Sequence, residues 1–276
     1  MSSEARPIAI EAYTAVDHGP DPAALIATMD AVEALSGFVE ARELALDGLG
    51  LRPGQRVLDV GCGSGGALPA VLERISPGGE AVGVDLSETM IAEARRRWVS
   101  PGRPLRFDVA DARALPFETA SFDASRTDRM MSHVPQPEAA LAEMLRVTRP
   151  GGRVAVIDVD IEATIVDSPD PEVARLAAVA GADRLQNGRI ARHLETMLRS
   201  AGASALVTRP LLARLNVALL QGMFAEILEQ LTTAGRLERG RVRHWWASLT
   251  DQEGSRELFA LLPVIVVAGT VPQGRP

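Results

Sequence analysis

The most constraining stretch of this chain is Val57-Leu58-Asp59-Val60 followed at once by Gly61-Cys62-Gly63-Ser64-Gly65-Gly66. A short apolar run closed by glycines reads as a parallel strand buried on both faces. Leu68, Val71, Leu72 and Ile75 then recur at helical spacing. Strand, glycine turn and helix open a βαβ unit, which binds a nucleotide-like ligand at the carboxyl end of its first strand. Glycines are required there because a side chain would hold the ligand off the backbone and because the turn needs unusual dihedrals. The spacing is Gly-x-Gly-x-Gly, not the Gly-x-Gly-x-x-Gly of dinucleotide sites.

The same alternation continues along the chain. Residues 21–48 carry Leu25, Ile26, Met29, Val32, Leu35, Phe38, Val39 and Leu46 at helical spacing and end at Gly48 and Gly50. They read as one or two amphipathic helices facing the core, with Tyr13 and Asp17 upstream as candidates to close over a ligand. Glu80–Asp85 reads as the second strand. Its terminal acid lies beside the glycine turn, where it can accept from both ribose hydroxyls. Ser87 is a candidate helix cap, and Leu86 and Met90 offer apolar surface to an adenine ring. Residues 104–109 read as the third strand. Asp111 beyond it can accept from an exocyclic amine while the N–H of Ala112 donates to the ring. Residues 121–126 and 153–158 read as strands four and five, separated by an amphipathic helix over 137–148 that opens with Pro-Glu. Residues 190–201 read as a helix, 203–208 as strand six, 211–249 as largely helical, and the continuously apolar 261–268 as a last buried strand.

Composition excludes several functions. The chain has 276 residues, one cysteine, a net charge of −7 and no lysine. The missing lysine removes P-loop phosphate binding, Schiff-base catalysis and pyridoxal phosphate. It also leaves Tyr13, the single tyrosine, without the partner of a short-chain dehydrogenase. The acidic balance disfavours nucleic acid. Arg95-Arg96-Arg97 sits at a helix end, where cations favour the dipole, and reads as solvated surface. No apolar run reaches the roughly 18 residues of a membrane span, and Met1–Pro7 lacks the apolar stretch of a secretory signal. Cys62 excludes an internal disulfide and reads as packing within the turn. We therefore expect a cytoplasmic protein, a monomer or homodimer, with a small-molecule partner and neither a nucleic acid nor a membrane partner.

Four segments together resemble the class I S-adenosylmethionine-dependent methyltransferases, nearest the ubiquinone-biosynthesis-like small-molecule branch. They are Val57–Gly65, Gly83–Ser87, Asp111–Phe117 and Leu145–Arg153, in family order over residues 50–160. The resemblance implies an α/β, Rossmann-like seven-stranded sheet in the order 3-2-1-4-5-7-6 with strand 7 antiparallel and helices on both faces. It implies S-adenosyl-L-methionine as cofactor and S-adenosyl-L-homocysteine as product. Asp59 and Gly61 would approach the methionine moiety, Asp85 the ribose and Asp111 the adenine. The expected cofactor set is Asp59, Gly61, Gly63, Gly65, Asp85, Leu86, Met90, Asp111, Ala112, Arg126 and Thr127. Within a single methyltransferase domain over 1–276, residues 1–50 form an N-terminal helical region, 51–210 with 259–272 the core, and 211–258 a helical cap over the acceptor.

Methyl transfer asks mainly for alignment in a water-poor pocket, and for a base only where the acceptor carries a proton. Candidates over strands 1, 4 and 5 are Arg126, Thr127, Asp128, Ser132, His133, Asp158, Asp160 and Glu162. His133 is the candidate catalytic base, because imidazole titrates near neutrality. Asp158, Asp160 and Glu162 would share a face if the strand continued through 162, but a hydrogen-bonded loop is the preferred reading and no metal is expected. His193 reads as core or surface. Arg126-Thr127-Asp128 differs from the Asn/Asp-Pro-Pro-aromatic run of amino-methylating DNA enzymes. The expected function is methylation of a small metabolite at oxygen, nitrogen or carbon in specialised biosynthesis. The alternatives are a non-methylating cyclase or decarboxylase on the same cofactor, and a non-catalytic partner subunit.

Overall fold

The computed structural model describes residues 16–18 and 21–273; Tyr13 lies outside them. Eight strands form one sheet among these residues: β1 (Arg56–Val60), β2 (Glu80–Asp85), β3 (Leu105–Val109), β4 (Phe122–Asp128), β5 (Thr148–Val159), β6 (Ile165–Val166), β7 (Ser204–Arg214) and β8 (Ala260–Thr270). The first five run parallel in the order β3-β2-β1-β4-β5. β8 adds antiparallel to β5, with Arg153 opposite Thr270 and Val159 opposite Val264. β7 covers the other edge of β8, from Ser204 opposite Thr270 to Arg214 opposite Leu261. The two-residue β6 pairs with Ala260 and Leu261, beyond the point where β5 leaves β8. Without β6 the order is the expected 3-2-1-4-5-7-6 pattern, and β6 is the addition the sequence did not signal. Strand order reverses between β1 and β4, which opens a crevice at their carboxyl ends.

The helices are α1 (Pro22–Glu33), α2 (Ser36–Leu49), α3 (Leu68–Ile75), α4 (Glu88–Trp98), α5 (Pro137–Val147), α6 (Pro171–Arg184), α7 (Leu194–Ser200), α8 (Val217–Thr233) and α9 (Arg239–Ser255). The strands alternate between two cores. Val57, Ala155 and Ile157 pack with Phe38, Leu46 and Leu49 of α2 and Ile91 of α4. Leu58, Val60, Val154 and Val156 pack with Leu141 and Met144 of α5 and Leu198 of α7. A strand clothed on both faces must be apolar throughout, which is why Val57–Val60 showed no alternation. No single helix among the described residues is long and apolar enough to cross a membrane.

Several boundaries differ from expectation. The 21–48 segment, read as one or two helices, is two, with a 74° bend between them. β7 extends to Arg214, so residues 211–214 belong to the sheet rather than to the cap, and the helical insertion begins after them. Val207, Leu212 and other exposed residues on this edge strand hid its length from pattern reading. α6 was not foreseen: six of its fourteen residues are alanine or glycine, which give little amphipathic contrast. Arg97 is not solvated surface. Its two Nη atoms donate to the Asp30 carboxylate at 2.8 Å and its Nε to Glu93, tying α1 to α4.

α2 lies close against the sheet. A Cβ placed on Gly37 would sit 2.6 Å from Ala213 Cα and 3.0 Å from Leu212 O. Gly37→Ala would gain up to about 1 kcal/mol of helix propensity, whereas overpacking against backbone costs about 1–3 kcal/mol. We expect Gly37→Ala to lower the Tm by a few degrees in thermal unfolding. A Tm at or above that of the parent chain would contradict this packing.

Candidate active site

β1 delivers Asp59 and then turns through Gly61 and Gly63, whose φ angles are +70° and +53°. A Cβ on Gly61 would lie 2.5 Å from Met130 Cγ, so the bend admits only glycine. The N–H groups of Gly61 and Cys62 donate to Val84 O at 2.8 and 2.9 Å. The Gly63 N–H donates to Asp85 Oδ2 at 2.9 Å, and the Ser87 N–H to Asp85 Oδ1 at 3.0 Å. Asp85 is thus held against the glycine bend. Each of its oxygens keeps further acceptor capacity, and burial pushes its pKa above the usual carboxylate value. Gly65 sits differently. Its N–H donates to Cys62 O, and its missing Cβ leaves room for Phe107 and Trp98 in the core rather than for a ligand. Burial also drives the Cys62 thiol well up, which leaves it a packing group.

A cavity of about 1060 Å³ runs from this bend across the strand ends. At one end lie Asp85, Leu86, Met90, Asp111 and Ala112. Leu86 is 65% exposed and Met90 is buried. The Asp111 carboxylate accepts from its own turn at Arg113 N–H, at 2.9 Å, and from the Arg113 guanidinium at 2.7–3.1 Å. The guanidinium lowers its pKa. Asp17 also lines this end and caps α4, accepting from Ser87 Oγ at 2.6 Å and from the Glu88 and Thr89 N–H groups at 3.0 Å. Burial would raise its pKa, but these bonds outweigh it and hold the group at about 2.

Beneath the middle of the cavity runs a chain of alternating charges. Arg126 Nη1 donates to Asp59 Oδ2 at 2.7 Å, and Nη2 to Asp128 Oδ2 at 3.1 Å. Arg129 Nε donates to Asp128 Oδ1 at 3.1 Å, and its Nη2 to Glu33 Oε1 at 3.4 Å. Arg42 Nη2 lies 3.6 Å from Glu33 Oε2. Burial pushes Asp59 up to about 6 against the pull of Arg126. Asp59 Oδ1 and Arg126 Nε are buried with no partner among the described residues. Arg126 was expected to bind the cofactor. It reaches the cavity wall, but both terminal nitrogens are committed to Asp59 and Asp128. Thr127 does not line the cavity; its side chain is buried in β4.

The other end of the cavity is bounded by Val32, Leu35, Phe38, His133, Leu219 and Met223. α1 and α8 therefore both cover the site. His133 departs from expectation in its basicity: burial, with Arg129 nearby, pushes its pKa down to about 4, well below free imidazole. The acids of strand five separate. Asp158 is fully buried and accepts the Ser132 N–H at 3.0 Å. Asp160 pairs with Arg192, and Glu162 with Arg189 and Arg192. No cluster of three metal-ligating side chains occurs among the described residues. His193 borders a separate, smaller hollow with Asn187 and Arg189. Glu33 and Arg42 escaped sequence reading, because residues nine apart on two different helices leave no spacing signal. Arg129 adjoins Asp128, but nothing in the sequence showed which acid it would meet.

The residues fit S-adenosylmethionine on features of this structure. Asp85 retains acceptor capacity for vicinal hydroxyls beside a tight glycine bend. Asp59 presents an orphaned buried oxygen for a cationic group. Asp111 and the N–H of Ala112 border the same cavity.

Comparison with known proteins agrees with this fit. Residues 57–152 match the model of a methyltransferase domain family. A demethylmenaquinone methyltransferase from Beutenbergia cavernae is 43% identical over 118 residues, covering 42% of this chain and 46% of that protein. The methyltransferase GfsG of Streptomyces halstedii is 32% identical over 192 residues, covering 68% of this chain and 64% of that protein. The alignments thus span roughly half to two thirds of these relatives' lengths. The phosphoethanolamine N-methyltransferase 2 of Haemonchus contortus, solved with S-adenosyl-L-methionine, superposes with a TM-score of 0.60 at 17% identity, over 95% of this chain and 60% of that one. That likeness speaks to the fold. Residues 57–152 therefore carry a methyltransferase domain, and the sheet around them has the fold of the solved S-adenosylmethionine-bound methyltransferase.

Proposed function

We propose that this chain transfers a methyl group from S-adenosylmethionine to a small, mainly apolar acceptor, at oxygen, nitrogen or carbon, in the biosynthesis of a specialised metabolite. One observation carries the reading: the cavity is continuous from the Asp85–Gly63 contact to His133 and α8. At about 1060 Å³ it slightly exceeds the roughly 300–1,000 Å³ of pockets for one drug-sized ligand, which supports two ligands lying end to end. The quinone-related and Streptomyces relatives support an acceptor of this kind.

The bound cofactor supplies an electrophilic methyl group on a sulfonium. The protein's own part is to hold and to exclude. Asp85 would accept from the ribose hydroxyls, Asp111 and the Ala112 N–H would meet the adenine edge, and Asp59 Oδ1 would face the methionine ammonium. Val32, Leu35, Phe38, Leu219 and Met223 keep water from the acceptor end. Alignment of this sort supplies up to about 7–11 kcal/mol in favourable model systems. Burial lowers the basicity of His133, and its ring would take a proton from an acceptor hydroxyl or acidic carbon.

Incubation with methyl-labelled S-adenosylmethionine and a panel of apolar phenols, amines and activated carbon acids tests the reading. We expect label in at least one acceptor. Cofactor binding with no transfer across the panel would contradict it, and a product without an added methyl would point to a cyclase or decarboxylase.

His133→Gln is expected to lower kcat by roughly 10²–10⁴-fold for a protonated acceptor. The ring's folded pKa lies below its ordinary value, so the proton-accepting form persists as pH falls and is lost only near pH 4. The acid limb of kcat/KM should therefore lie near 4 and vanish in the variant. A limb near 6.5 that survives in His133→Gln would exclude this role.

A further inference from the structure

Between α6 and the turn Ile190–His193, residues 185–188 place Leu185 and Gln186 in the cavity wall. Gly188 fixes their path: a Cβ there would lie 2.3 Å from Ala182 O, and Gly188 O accepts the Ile161 N–H at 3.2 Å. This path aims Asn187 at the loop that carries His133. Asn187 Nδ2 donates to Met131 O at 3.0 Å and to Val134 O at 2.8 Å. Its backbone N–H donates to Ser132 O at 3.0 Å. The carbonyls of residues 131, 132 and 134 therefore converge on one residue, and His133 is the residue between them. Both side-chain partners are acceptors, so the amide can face them only through its nitrogen. On the other side of the loop, Asp158 accepts the Ser132 N–H at 3.0 Å.

We propose that Asn187 is a positioning residue, holding the His133 ring at the acceptor end of the cavity for substrates that must lose a proton. The inference rests on the proton-accepting role of His133 proposed above. Asn187 does not itself line the cavity, so it acts through the loop. An apolar residue of the same size would leave Met131 O and Val134 O without the donor they now share. The charged groups around this loop include Arg129 within it, Asp128 at the end of β4, Glu33 of α1, which accepts from Arg129, and Asp158 on β5. His133 is partly buried, and that burial lowers its basicity.

The test is an NMR titration of the four histidines in the full-length chain, with His133 assigned by its loss in His133→Gln. In the parent chain His133 should titrate near 4. In Asn187→Leu it should move toward 6.5, and in Asn187→Ser, which keeps one donor, it should fall between the two. In the transfer assay Asn187→Leu should lose about 10²-fold in kcat, with the KM for S-adenosylmethionine unchanged. A folded Asn187→Leu that titrates and turns over like the parent would overturn the proposal. If that variant does not fold, Asn187→Ser decides: an intermediate titration upholds the proposal and a parental one overturns it. An unchanged rate in His133→Gln would remove the base role, while a titration shift would still uphold the hold of Asn187 on the ring.

Discussion

The hydrogen bond from the Gly63 N–H to Asp85 joins the two elements on which the site depends. It spans adjacent parallel strands and requires β1 and β2 to be in register, with Val60 opposite Val84. It also needs a bend that side chains cannot enter. Without it the glycine loop would keep only the Gly61 and Cys62 bonds to Val84 O, and the acid only its bond from the Ser87 N–H. The buried strands beneath have no freedom to shift, because a slip of one residue would exchange the two cores of the sheet.

Above this anchor the protein buries an unusual amount of charge. Asp59, Asp128 and Glu33 alternate with Arg126, Arg129 and Arg42 across β1, β4, α1 and α2. Such a chain adds little net stability, because desolvation offsets much of the attraction, yet removing one member leaves an uncompensated charge that costs about 3–5 kcal/mol. Its clearer consequence is geometric: it ties α1 to the end of β4 and to α2, so the place of α1 over the cavity is set by charge pairing as well as by apolar contact. Among the described residues, the second oxygen of Asp59 is the acceptor that this network leaves unpaired.

The parts legible in the sequence were those whose chemistry is local. Val57–Gly65 declared both strand and bend, and Asp85 declared its place because parallel neighbours end at the same level. The glycine motif did not reveal that Gly65 serves the core, since a positive φ in itself says nothing about which side the missing Cβ faces. Arg126 looked like a ligand contact because the sequence does not show that Asp59 lies across from it. The lowered basicity of His133 was hidden for a related reason: α1, α8 and residues 185–186, which share its cavity, come from far away in the chain. Asn187 left no signal, because its three partners are carbonyls, which every residue possesses.

The central claim is that Asp85, set against the glycine bend, grips the sugar of a sulfonium nucleoside. Calorimetric titration of the parent chain, Asp85→Asn and Asp85→Ala with S-adenosylmethionine tests it most directly. Charged hydrogen bonds of about 1.5–3 kcal/mol imply that Asp85→Ala weakens binding by roughly 10- to 100-fold, with Asp85→Asn between the two. Equal affinity in all three chains, or no binding heat in the parent, would contradict the account.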